Sequence, residues 1–256
     1  MTKIMKENNP VPLEGFVEED FQAWEKYGHL DHYRWLFNKM EIALRQELHA
    51  GPAATAPKES GWYIHRPIYN LYGMGIGATK FYYDKEKMYD KMINNDVVPP
   101  GHFWCEWING DHRSIDYQQW SDESWRVRSV LLGNHYDEDN LTRFQQWEKM
   151  PHDWALPFED TGLLDIIGFD PYVPYVNIEM RGDYIIEVHL RLGNDPFDDL
   201  DVGDKIIPVW SDQEIPEGEW RGNLHNDLEQ YSASGYLSDV RKGYIIERAN
   251  LRSSNG

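Results

Sequence analysis

Apolar residues recur at helical spacing between Glu19 and about Leu48. Phe21, Trp24 and Tyr27 come three apart, Gly28 interrupts, and Tyr33, Leu36, Phe37, Met40, Ile42, Ala43 and Leu44 resume the stripe. The pattern predicts two helices separated near Gly28-His29, the second ended by Gly51-Pro52. Residues 1–18 are polar and broken by proline, as expected of a surface arm.

From residue 62 the period changes. Residues 62–67 and 79–83 are rich in β-formers and flank a glycine-dense loop. Asp84 is placed to cap a helix reaching Asn95. A strand over 103–108, the tight-turn dipeptide Asn109-Gly110 and a strand over 114–117 predict a hairpin. Residues 118–160 carry weaker signals, the best being a strand over 126–132, and 160–167 reads as a short helix. Strands over 175–180 and 184–191 flank Arg181-Gly182-Asp183, and shorter ones follow over 205–210 and 243–248. No repeat, low-complexity segment or linker divides the 256 residues.

Composition narrows the class. With 41% hydrophobic and 27% charged residues, the chain has the balance of a folded globular protein. No apolar run approaches the roughly 20 residues of a membrane helix, and none near the N-terminus resembles a secretory signal. The single cysteine, Cys105, excludes an internal disulfide and a cysteine-based zinc site, and a cytoplasmic location is expected. The 25 Lys and Arg against 44 Asp and Glu leave a net charge of −19. Such a surface disfavours nucleic acid and anionic membranes as partners.

Three stretches carry candidate chemistry. Arg66-Pro67 ends a strand ahead of Gly73-Met74-Gly75-Ile76-Gly77, where flexible backbone N–H groups can approach phosphate oxygens beside a cation. The segment from Cys105 to Asp116 reads, on its own, as structural. In the third, strand alternation puts Asn177 and Glu179 on one face, and Glu187, His189 and Arg191 on one face of the next strand. A three-residue turn at Arg181-Gly182-Asp183 would set Asn177 opposite Glu187 and unite the two sets, whereas a two-residue turn would slip the register and separate them. United, they form a patch of oxygen ligands beside a cation, suited to Mg²⁺ carrying a triphosphate; the alternative is a solvated hairpin face.

In this order the stretches resemble the ATP-grasp superfamily over residues 35–194. Asn38-Lys39-Met40-Glu41 with Ala50-Gly51-Pro52-Ala53 is similar to the family's approach to its first lobe. His65-Arg66-Pro67 takes the place of its Lys-Pro or Arg-Pro strand, Gly73 to Gly77 that of its phosphate-covering loop, and Cys105 to Asp116 that of its interlobe segment. Glu187-Val188-His189-Leu190-Arg191 resembles its terminal Glu-x-Asn-x-Arg motif, with His189 in place of the Asn and His112 in place of a ribose-binding Glu.

The resemblance implies an α+β, two-lobed fold that binds ATP between antiparallel sheets and lacks most of the usual N-terminal substrate domain. Residues 1–34 would form an arm and helix. A small glycine-loop lobe would span about 60–105 and a large metal-binding lobe about 106–194, with 195–256 packed on the latter. The implied activity is ADP-forming ligation of a small-molecule or peptide carboxylate to an amine. A nucleotide-sensing or interaction module that has lost turnover is the alternative. By the same resemblance, Arg66, Gly73, Met74, Gly75, Gly77, Glu106, Ile108 and His112 would bind ATP. Asn177, Glu179, Glu187 and His189 would hold Mg²⁺, and Arg66 and Arg191 would act on the transferred phosphoryl group. A partner protein or a second copy of the chain would supply the missing substrate surface.

Overall fold

A computed structural model of the chain describes residues 10, 20–69, 77–135, 141, 143–168, 170, 172–192, 199–222 and 241–249. The N-terminal region carries three short helices, α1 (Asp20–Tyr27), α2 (Asp31–Arg34) and α3 (Lys39–Arg45), with a 3-10 turn at Trp35–Phe37. Asn38 caps α3 by accepting from Glu41 N–H at 3.0 Å. The helix stops at Arg45, six residues before Gly51-Pro52, because Glu47 adopts a positive φ of 62°. Gly51-Pro52 instead belongs to β1 (Ala50–Pro52), where proline is tolerated on an edge strand.

Two antiparallel sheets follow. The smaller contains β1, β2 (Gly61–Pro67), β3 (Thr79–Tyr83) and β4 (His102–Glu106) in the order β1-β4-β2-β3. Helix α4 (Lys85–Ile93), capped by Asp84 as its sequence predicts, covers one face, where Tyr63, Tyr83, Met92, Val98 and Trp104 form a core. On the opposite face Phe103 and Cys105 pack with Ala43 of α3.

The larger sheet is assembled from β5 (His112–Gln119), β6 (Trp125–His135), β7 (Phe144–Lys149), β8 (Tyr175–Arg181), β9 (Tyr184–His189), β10 (Lys205–Trp210), β11 (Glu219–Gly222) and β12 (Arg241–Glu247). Its order is β11-β12-β10-β7-β6-β5-β8-β9. One face joins Ile115, Val130, Val176, Ile178 and Val188 to Ala23, Tyr27, Tyr33 and Leu36 of the helical region, together with Phe158 of a 3-10 turn (Phe158–Thr161) and Ile167 of α5 (Leu164–Ile167). Edge strand β9 is shielded by Gln46, whose side chain bonds Ile185 N–H at 2.7 Å and its carbonyl at 2.8 Å.

Three expectations are corrected. The strands around Asn109-Gly110 are not a hairpin: β4 pairs with β1 and β2, while β5 pairs with β6 and β8, so residues 107–111 cross between the sheets. Gly110, at φ 118°, lies so close to Gly182 that a Cβ would stand 2.7 Å from that residue's Cα. The second concerns β7, unforeseen because Phe144-Gln145-Gln146-Trp147 lacks clear alternation.

The third concerns the β8–β9 turn, which has two residues, with Arg181 opposite Tyr184. A bulge between Glu179 and Met180 then shifts the pairing, so Glu179 faces Glu187 and Asn177 faces His189, not Glu187. The extra residue restores the common face that a bare two-residue turn would have lost.

Candidate functional site

Glu179 and Glu187 stand opposite each other on β8 and β9, and with His189 they place one ligand atom each within 4.8 Å of the others. His189 Nε2 lies 3.7 Å from Glu179 Oε1 and 3.7 Å from Glu187 Oε1. Lys39 of α3 reaches across to pair with Glu187 at 2.7 Å, while its backbone N–H donates to Ile68 beyond β2 at 3.0 Å. One residue thereby ties the small-sheet side to the large sheet.

Behind this cluster sits Asp20, the first residue of α1. It accepts from Arg191 Nε at 2.9 Å and Nη2 at 2.7 Å, and its Oδ1 lies 2.7 Å from His189 Nδ1. All three residues are buried. Burial alone would raise the Asp20 carboxyl, but the charges of Arg191 and His189 hold it far below the usual carboxylate range. Burial alone, and Arg191 with it, would lower His189, yet Asp20 and Glu187 together outweigh them and lift it to about 9. His189 is therefore an imidazolium at neutral pH. For Glu179, burial is outweighed by the hydrogen bond from His112 and the charges of His112 and His189, which keep it ionised.

From the small sheet, Arg66 lies over the Phe103 ring, its Cζ 5.4 Å from the centroid, and it feels the charges of Glu187 and Glu179. Burial pulls the guanidinium below its ordinary value, and Cys105 and those two carboxylates oppose the shift. Its Nε is buried without a hydrogen-bond partner among the described residues, as is His189 Nε2. Unsatisfied buried donors beside two carboxylates are costly unless a ligand completes the site.

The other predicted residues fall in different places. Asn177 turns its amide nitrogen onto β5, donating to Ser114 Oγ at 2.9 Å and Asp116 Oδ1 at 2.8 Å. His112 Nε2 bonds Glu179 Oε2 at 3.2 Å. Glu106 is bound to His49, its N–H donating at 2.8 Å and its Oε1 accepting at 2.7 Å. Ile108 lies against Gly182 in the crossing segment. Gly77 stands beside His102 and Pro67, and Gly73, Met74 and Gly75 lie outside the described residues.

Sequence reasoning passes over Lys39 and Asp20. Lys39 enters the sequence reading only as part of Asn38-Lys39-Met40-Glu41, with no role of its own. Nothing near Asp20 marks it, since its partners lie 169 and 171 residues away.

The donor chemistry suits a hard divalent cation at Glu179 and Glu187, whose oxygens Mg²⁺ prefers. His189 completes the three-residue set that could hold a metal ion. Asp20, Glu179 and Glu187 stand among Lys39, Arg66, His189 and Arg191, so the carboxylates are already matched by cations. A cation entering here is better accommodated together with an anion.

N5-carboxyaminoimidazole ribonucleotide synthetase from Thermus thermophilus superposes with a TM-score of 0.56 over 94% of this chain and 79% of its own, at 10% identity. This chain has the ATP-grasp fold. L-amino acid ligase from Bacillus licheniformis gives a TM-score of 0.40 at 16% identity, covering 63% of this chain and 42% of the ligase. The ATP-grasp ligase PsnB gives 0.38 at 14% identity, over 67% of this chain and 57% of PsnB. The chain thus spans about half the length of these two ligases. No family model matches the sequence, and no curated protein does. No helix among the described residues is long and apolar enough to cross a membrane.

Proposed function

We propose that the protein is an ATP-dependent ligase, activating a carboxylate as an acylphosphate and joining it to an amine or similar nucleophile. One observation carries this reading: paired Glu179 and Glu187 lie within electrostatic reach of half-buried Arg66, whose buried Nε has no hydrogen-bond partner among the described residues. A triphosphate would satisfy that donor through a charge-assisted hydrogen bond. The two carboxylates suit the Mg²⁺ that accompanies it.

In this reading Arg66 and the backbone N–H groups of Gly73, Met74, Gly75 and Gly77 hold phosphates. Glu106 and Ile108 offer backbone groups to adenine, and His112 borders the ribose. Glu179 and Glu187 hold Mg²⁺, with His189 and Asn177 behind them as charge and hydrogen-bond support. When bound, Mg²⁺ offsets charge on the reacting phosphate oxygens. Lys39 adds a cation at the junction of the sheets, and Arg191, its Nε and Nη2 held by Asp20, adds positive charge behind the phosphoryl group in transfer. The chain's own contribution is positioning and charge stabilisation, as phosphoryl transfer requires.

A second reading has its own observation. Asp20 engages Arg191 and His189 together, which favours a nucleotide-sensing module without turnover. ADP release is the discriminating assay, with Mg-ATP supplied alongside pools of carboxylates and amines. Release that requires both a carboxylate and an amine supports the ligase. Tight ATP binding with no release from any pool supports the sensor, and absence of ATP binding removes both.

A further inference from the structure

His112 lies on β5, on the same sheet face as Glu179 of β8 and one step diagonal to it, since Ser114 is the residue directly opposite Glu179. Both imidazole nitrogens have assigned neighbours. A carboxylate only accepts, so Nε2 donates to Glu179 Oε2 at 3.2 Å, which leaves Nδ1 facing His135 Nε2 at 3.2 Å. The ring is then held edge-on by Phe144 and Trp147, with centroids 5.1 Å and 5.5 Å away.

Gly133, opposite His112 on β6, makes room for those two rings, because a Cβ there would stand 2.6 Å from each. The imidazole is thus fixed by a histidine, two aromatic walls and a position that admits no side chain. Its side chain is only 10% exposed. The consequence falls on Glu179, whose two oxygens are made unequal. Oε2 is held by His112, while Oε1 is turned toward His189 and the junction with Glu187.

We propose that His112 is a positioning residue that fixes the Glu179 carboxylate so that one oxygen, Oε1, is presented to the divalent cation. This rests on the assignment of Glu179 and Glu187 as the cation's ligands. Hydrogen bonds from a second layer of residues orient ligating groups, and losing one commonly weakens metal binding by about 10–100-fold. His135, Phe144, Trp147 and Gly133 act one step further back by holding the imidazole.

Mn²⁺ is the probe, titrated in the presence of a nonhydrolysable ATP analogue and followed by its electron paramagnetic resonance signal. His112→Leu is expected to weaken Mn²⁺ by about 10–100-fold, and analogue binding in excess EDTA by a distinctly smaller factor. His112→Gln keeps an N–H able to reach Glu179 and should recover a large part of the loss. A merely structural role would weaken both ligands alike and would not be rescued selectively by Gln.

Unchanged Mn²⁺ affinity in His112→Leu overturns the proposal, provided Glu187→Gln abolishes the site, and so does equal loss in the Leu and Gln variants. If wild-type protein holds no Mn²⁺, or Glu179→Gln and Glu187→Gln leave it unaffected, the ligand assignment itself falls and this inference with it. Should His112→Leu not fold, the comparison of His112→Gln with wild type decides: the Gln variant must bind Mn²⁺ within about tenfold of wild type, and a greater loss overturns the proposal.

Discussion

Asp20 grips Arg191 with both carboxylate oxygens, 2.9 Å from Nε and 2.7 Å from Nη2, across 171 residues of sequence. Its Oδ1 also lies 2.7 Å from His189 Nδ1, so the first residue of α1 faces two buried basic groups at the edge of the large sheet. Removing one partner of such a buried pair strands the other, at a cost of about 3–5 kcal/mol. Asp20→Ala should therefore lower the unfolding free energy by that amount in a urea titration, and Asp20→Asn by less, since it still accepts a hydrogen bond.

The same triad sets a pH dependence. His189 has its pKa raised in the folded protein to about 9, against 6.5 for the free side chain. Its contribution is therefore complete below pH 6.5 and is lost as pH rises through about 9. Stability should fall across that interval by at most ~3 kcal/mol, as read from urea midpoints at successive pH values. Asp20→Asn should flatten the slope. The depressed Asp20 carboxyl acts in the opposite range, with stability lost as pH falls below the ordinary carboxylate value.

If Glu187 is a ligand of nucleotide-bound Mg²⁺, saturating Mg-ATP should stabilise the wild type, by about 2.7 kcal/mol at a hundredfold excess over Kd. Glu187→Gln should lose most of that gain in a thermal melt. Arg66→Ala should lose the gain with ATP alone as well, because its side chain would contact phosphate directly.

Much of the architecture is legible in the sequence because it follows local rules. Asp84 caps α4, Thr79–Tyr83 and Lys205–Trp210 are strands with the bounds their β-formers suggest, and Glu179, Glu187 and His189 share one face as strand alternation implies. The route by which those side chains meet is not legible. A turn of either length fits Arg181-Gly182-Asp183, and the bulge that compensates depends on packing between strands. Asn109-Gly110 carries a genuine turn signal, but sheet partners are chosen by long-range contacts that a dipeptide does not record. The Asp20 contact is invisible for the same reason, since an acidic residue opening a helix is ordinarily explained by the helix dipole alone.

Gly110 supplies a fourth expectation. At φ 118° an L side chain is strained, and its Cβ would meet the Gly182 backbone at 2.7 Å. Gly110→Ala should cost about 1–3 kcal/mol from the backbone conformation alone, with the collision adding to it, and a lowered melting temperature would register this.

Cys105 is buried between the small sheet and α3, and burial pushes its thiol up to about 11, with Arg66 opposing and Glu106 adding to the shift. Iodoacetamide at pH 8 should leave the native protein unlabelled and modify the denatured chain fully. Rapid labelling of folded protein would contradict the packing around β4.

The surplus residue in the β8–β9 hairpin has a consequence for how this chain can diverge. With Arg181 across from Tyr184, an unbroken ladder would set Glu187 beside Ile178 and turn it into the hydrophobic interior. Losing a single residue from β9 would thus invert the chemistry of a whole strand, while a loss matched by one extra turn residue would leave it intact. Insertions and deletions in this hairpin are therefore tolerated only in compensating pairs, so descendants of this sequence can differ in loop length yet must agree in odd–even count.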